Sequence, residues 1–265
     1  MRKSKSVLVV SCTHVGHRGG LCGPDNWQSI DTTDPKLLMI GTLQRQVYRW
    51  WTNYVVASKP DIVIHVGDVI DGLQEKSKGE DLWTTRQEEQ ADAAIKLLRP
   101  FKKSGAKMYF VKGTRYHDPT NREQYIAHEL HAGCCDPQAF IDVNGIVFDC
   151  KHVIGGGNVP GSRPGIKNAM LQNMLWNRRG GQPLADIIVR GHMHDFYHEG
   201  DATYTGIVVP GLQFYSEFGQ LNVSRPIAVG CVLFPCVENW MKARDISWVP
   251  LIAELPALAP CVFKA

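Results

Sequence analysis

The sequence predicts an α/β fold with two sheets. Three observations lead there. Apolar, strand-like runs alternate with segments of helical periodicity through the first half, the pattern of right-handed crossovers and a largely parallel sheet. Asn144-Gly145 sits inside the run Ala139 to Cys150, a hairpin signal. The last third is strand-like again, at 206–210, 227–234 and 246–253. Hairpins there add antiparallel strands, and with them a second sheet.

Taken in order, KSVLVVS is a buried strand, followed by a long loop, VGHRGGLCGPDNWQSIDTTDPK, rich in Gly, Asp, Pro and Thr. From about Thr42, Leu43, Val47, Trp50, Trp51, Tyr54 and Val55 fall at helical spacing until Pro60 stops the helix. That aromatic stripe is read as core packing. DIVIHV, Asp61 to Val66, is a second strand. Thr84 to Lys103 is an amphipathic helix with Ala91, Ala94, Ile95 and Leu98 on one face. KMYFV, Lys107 to Val111, is a third strand, and Asn121 opens a helix reaching about His131. After the hairpin, VIGGGNVPGSRPG is a loop, Ile166 to Arg178 a helix, and Ile187 to Val189 a strand that runs into RGHMHD. No linker divides the 265 residues, so residues 1–265 are expected to form one domain.

Composition narrows the class without naming a function. Apolar residues make up 44% and charged residues 21%, with a net charge of +3. A chain this long buries a core without disulfides. Lys and Arg are interspersed with Asp and Glu, with no cluster that would track a duplex. No run of about 18 apolar residues occurs, which argues against a membrane span. The basic start, Met1-Arg-Lys-Ser-Lys, is followed by too short an apolar run to act as a secretory signal. The eight cysteines show no CxxC pairing. Free thiols in a reducing cytoplasm are therefore expected.

Metal-capable side chains recur where predicted strands end. Cys12 and His14 follow the first strand, Asp68 and Asp71 the second, Thr114 and His117 the third, His152 the hairpin, and His192 and His194 the run IIV. In open α/β sheets the crevice at the carboxyl ends of strands is where sites form.

The motifs CTH at 12–14, GDVID at 67–71, GTRYH at 113–117, KH at 151–152 and GHMH at 191–194 resemble those of the calcineurin-like metallophosphoesterase family, which reads DxH, GDxxD, GNH, H and GHxH. The likeness covers roughly residues 7 to 215. It is similar above all to phosphoesterases encoded by phages and prophages, in GTxxH, in Gly20-Leu21-x-x-Pro24, and in Pro210, Leu212 and Gln213 after GHMH.

The resemblance implies a four-layer αββα sandwich, two mixed β-sheets flanked by helices. It implies a site for two divalent cations, zinc, manganese or iron, with Asp68 bridging both. His14, His194 and Cys12 would hold one ion, and His152, His192 and Thr114 the other. A hydroxide between the ions would attack a phosphate ester, and His117 would protonate the leaving oxygen. Two positions depart from the family: Cys12 stands where it has Asp, and Thr114 where it has Asn. A bound Cys is a thiolate and keeps the single negative charge, but favours zinc or iron. Arg115, Lys151, Arg18 and Arg163 are candidate phosphate contacts, and Asp71 and Asp195 candidate partners for ligating imidazoles. The implied partner is a phosphate-ester substrate, with phosphodiesters of nucleic acid or nucleotides preferred over monoesters or phosphoproteins. The implied setting is the cytoplasm, that of a host cell if the protein is phage-encoded. A protein of the same ancestry that binds a partner without turnover is the competing expectation.

Overall fold

A computed structural model of the chain describes residues 3–154, 165–214, 227–239 and 241–256. Among the described residues, eleven strands form two mixed sheets. The first holds β1 (Lys5–Val10), β2 (Ile62–Val66), β3 (Lys107–Val111), β4 (Cys135–Asp136), β10 (Gly230–Val237) and β11 (Val249–Ile252), in the order β11-β10-β1-β2-β3-β4. The second holds β5 (Gln138–Val143), β6 (Ile146–Lys151), β7 (Ile187–Arg190), β8 (Tyr197–Gly200) and β9 (Thr205–Val208), in the order β5-β6-β7-β9-β8. β1 through β4 run parallel, as do β6, β7 and β9, while β10, β11, β5 and β8 pair antiparallel.

Alternation along β1 explains the layering. Val7 and Val9 face the second sheet and join Ile62, Ile64, Phe148, Ile187 and Phe234 in the core between the sheets. Leu8 and Val10 face the other way, toward α1 (Pro35–Trp50), α2 (Gln87–Lys103) and α3 (Arg122–Glu129). A strand covered on both faces needs apolar residues at every position, which is why VLVV does not alternate. On the far side, α4 (Ile166–Arg178) packs Ile166 and Met170 against Ile188 and Val208. The result is the four-layer αββα sandwich.

The structure departs from the sequence reading at α1, at the start of α2, which is Gln87 rather than Thr84, and in two added strands. α1 starts at Pro35, not Thr42, because Asp34 accepts hydrogen bonds from the Lys36 and Leu37 amides and Pro35 occupies the first turn. Its C-terminus widens into a π turn, Trp51–Val55, that rotates the buried face. Trp51 and Val55 are buried as expected, whereas Tyr54 points to solvent. β4 and β8 are short additions that the sequence reading lacks. The Asn144-Gly145 hairpin forms where expected, with both residues at positive φ.

Candidate metal centre

The parallel strands of both sheets end at one edge, and the loops leaving β1, β2, β3, β6 and β7 meet there. Backbone hydrogen bonds lock them together. The Cys12 amide donates to Gly67 O, His14 to Asp68 O, Gly191 to His152 O, and Leu212 to Cys12 O. Cys12, His14, Asp68, His192 and His194 all have positive φ, between 43° and 70°. Such backbone costs about 1–3 kcal/mol per residue and clusters at functional sites. Two glycines permit the close approach. Gly67, at φ 78°, packs against Gly113 and the His152 ring, and a Cβ at Gly113 would overlap the Asp68 amide nitrogen and Oδ1.

Asp68 lies at the middle and is buried. Its Oδ1 accepts from the Thr114 amide at 2.7 Å and the Thr114 hydroxyl at 3.1 Å. Its Oδ2 is 2.8 Å from His152 Nε2, 3.9 Å from His192 Nδ1 and 4.0 Å from His117 Nε2. Burial alone would raise its pKa, but the facing His152, helped by His192 and His117, holds the carboxyl well below the usual carboxylate range.

The imidazoles are oriented by their other nitrogens. His14 Nδ1 pairs with Asp71 Oδ1 at 2.7 Å, and Gln74 Nε2 donates to Asp71 Oδ2 at 2.6 Å. His117 Nδ1 is 2.8 Å from the Asp71 carbonyl, and His152 Nδ1 is 2.6 Å from Val66 O. Each of these Nδ1 atoms faces an acceptor, so each carries a proton, and Nε2 turns inward as the atom that a cation would take. His14 Nε2 and His194 Nε2 meet at 3.0 Å. Burial keeps both rings neutral: it lowers His14, with His117 adding to the effect, and it lowers His194 much further, with His14 adding to the effect. His152 Nε2 is buried against Asp68 Oδ2; burial lowers the ring's pKa, but the facing carboxylate raises it overall. Burial and then the Asp68 charge raise the Cys12 thiol pKa, so without a cation it is a thiol.

Donor atoms of Cys12, His14 and His194 lie within 4.8 Å of one another, as do those of Cys12, Asp68 and His152, and those of His14, Asp68 and His117. Imidazole nitrogens grouped with a carboxylate and a sulfur form a donor set suited to divalent cations. The cluster can therefore hold metal.

The sequence-predicted residues divide as follows. Cys12, His14, Asp68, Thr114, His117, His152 and His194 converge, and His192 approaches from a half-exposed position. Asp71 orients His14 and His117, while Asp195 accepts instead from the Phe196 amide. Lys151 and Arg115 line a cleft next to His152, and Arg18 does not. Arg163 lies outside the described residues. His17 and His65 are buried, with His65 against Thr13 and stacked on Phe110.

Sequence reasoning missed Glu123, from the first turn of α3. Its two oxygens accept from the Val69 amide at 2.8 Å and the Gly113 amide at 2.7 Å, tying the loops after β2 and β3 together. Burial, then the Asp68 charge, pushes its pKa up to about 7. It also missed Lys112, in the cleft with Lys151. An acidic residue in a first helical turn is ordinary, so nothing in its spacing marks Glu123.

No protein-family model matches the sequence, and no curated protein does. Similar solved structures include a novel archaeal phosphodiesterase, at 10% identity over 93% of this chain and 99% of that one, with a TM-score of 0.45. Another is Vps29 complexed with Zn²⁺ from Entamoeba histolytica, at 15% identity over 86% and 84%, with a TM-score of 0.42. A predicted phosphoesterase from Streptococcus pneumoniae overlaps at 12% identity over 88% and 84%, with a TM-score of 0.37. Likeness this loose says nothing about chemistry. Among the described residues no helix is long and apolar enough to cross a membrane.

Proposed function

We propose that the protein is a cytoplasmic, metal-dependent phosphoesterase of the calcineurin-like type, a single domain acting on phosphodiesters of nucleic acid or nucleotides. The observation that carries this reading is the convergence of imidazole nitrogens on Asp68 from four separate loops. His14, His194 and Cys12 would hold one cation and His152 and His192 a second, with Asp68 shared between them. Thr114, whose hydroxyl donates to Asp68, would act by fixing that carboxylate rather than by strong ligation. Zinc or iron suits the Cys12 side, and zinc, manganese or iron the other. Bound cations at such a site neutralise phosphate charge and make water a nucleophile near neutral pH.

The protein's own groups do the rest. His117, fixed through Nδ1 by the Asp71 carbonyl, has its Nε2 on the Asp68 side and only partly exposed. When doubly protonated it gives the Nε2 proton to the departing oxygen. Asp71 keeps His14 in the Nδ1–H form, so that Nε2 stays a donor to metal. Arg115 and Lys151 contribute positive charge from the cleft next to His152, and Arg18 a weaker field. The preference for diesters rests on the resemblance to phage and prophage phosphoesterases.

The test is metal content of the purified protein, followed by turnover of bis-p-nitrophenyl phosphate and p-nitrophenyl phosphate with zinc or manganese. Two bound ions and faster diester turnover are expected. No bound metal and no turnover of either ester would sink the reading. A second reading, a binding protein without turnover, is favoured by one observation. The Cys12 sulfur is fully buried against Ser11 Oγ at 3.2 Å, an arrangement that a small structural residue would also adopt.

A further inference from the structure

A cleft of about 300 Å³ opens on the outer side of the centre, along the seam between the two sheets. Its inner wall is Gly113 and His152, the two residues packed against Asp68. Lys112 and Arg115 approach from the loop after β3, and Lys151 from the end of β6. A scissile phosphate seated on the metal side of His152 would leave this cleft to another part of the same substrate.

The charge balance of the cleft favours an anion. Two carboxylates also line it, and both are already engaged. Asp118 accepts from the Arg122 and Glu123 amides at 2.7 and 2.9 Å. Glu123 is buried, with each oxygen on a backbone amide. The cations have no such partners. Arg115 and Lys151 are exposed and form no ion pair among the described residues, and Lys112 Nζ reaches only Asn121 Oδ1, at 3.5 Å. Three cations against two carboxylates around one concavity leave a net positive field that a compact polyanion would neutralise.

We infer that this cleft is a subsite for a second phosphate of the substrate, so that the ester cleaved is a nucleotide chain whose neighbouring phosphate lies between Lys112, Arg115 and Lys151. The inference rests on the phosphoesterase reading and names its substrate class. The mean charge of the chain hides such a site, because the three residues come from the loop after β3 and the end of β6, which belong to different sheets and meet only at the seam.

The experiment compares thymidine 5′-(p-nitrophenyl phosphate) with and without a 3′-phosphate, and the reverse pair in which the positions are exchanged. In at least one polarity the second phosphate lowers KM about tenfold, the equivalent of one charged hydrogen bond. The Lys112→Gln/Arg115→Gln/Lys151→Gln variant, checked for folding by circular dichroism, reduces that advantage to less than about twofold. Lys112→Arg/Lys151→Arg retains it. The inference is overturned if neither polarity shows an advantage, or if the neutralised variant keeps it. A parallel titration of thymidine 3′,5′-bisphosphate against thymidine 5′-phosphate by calorimetry, with and without chelator, separates the two readings. Tighter, Lys112-dependent binding of the bisphosphate with no turnover of any ester would retain the subsite and discard the hydrolase. Turnover without any effect of the second phosphate would do the reverse.

Discussion

The two sides of Asp68 are built differently. On one side His14 and Cys12 are buried and His194 is partly buried, and desolvation lowers the pKa of both rings. Asp71 and Gln74 form a buried hydrogen-bonded chain behind His14. On the other side His192 has a side chain 45% exposed, and His152 borders the open cationic cleft. His152 is pulled in opposite directions, lowered by burial but raised overall by the facing Asp68. If both sides hold a cation as proposed, the buried, sulfur-containing side should retain it longer than the more open side of His152 and His192.

The most direct way to break this comparison is to remove what both sides share. Asp68→Asn should cut diester turnover by about 10⁴-fold and empty both sides at once, as read by kinetics and metal analysis. Loss of one ion only would show that the sides are independent. His117→Asn should lower kcat by about 10³-fold with metal content unchanged. Its effect should shrink for esters with good leaving groups such as p-nitrophenolate.

Glu123 sharpens the outer side. Its folded value of about 7 lies above the ordinary 4.5, so the folded protein keeps that proton longer than the unfolded chain. The resulting stability is fully present below about pH 4.5 and is lost as pH rises through about 7, a swing of at most about 3 kcal/mol. Denaturant titrations of chelator-treated protein should show this slope, and Glu123→Gln should flatten it. An unchanged slope in the variant would mean that Glu123 stays ionised throughout. Asp71→Asn addresses the inner side. It should weaken the more tightly held cation about 10–100-fold in chelator competition and leave the weaker one as it was.

Much of the centre was legible because each motif follows directly on an apolar run. VLVV precedes Cys12, VIHV precedes Asp68 and IIVR precedes His192, so the strand ends could be located by pattern. The layers were legible in part. Doubly covered strands announce themselves as unbroken apolar runs, but β8 reads YHEG, whose half-exposed edge looks like loop. The start of α1 was hidden among loop-like residues, although Asp34-Pro35 is a capping signal in its own right. Lys112 and Glu123 were not legible, because their roles depend on which loops meet at the seam rather than on local spacing. Tyr54 turned outward because the π turn adds a residue to the helical period.

The left-handed backbone at residues 12, 14, 68, 192 and 194 acts as a filter on mutation before any chemistry is asked of the side chain. That conformation admits Asn, Asp and His readily and penalises branched residues. Four of the five positions already carry members of that short vocabulary, and Cys12 is the exception. An inherited drift from cysteine to aspartate at position 12 would therefore cross no conformational barrier, whereas valine, despite its similar size, would unsettle the loop itself.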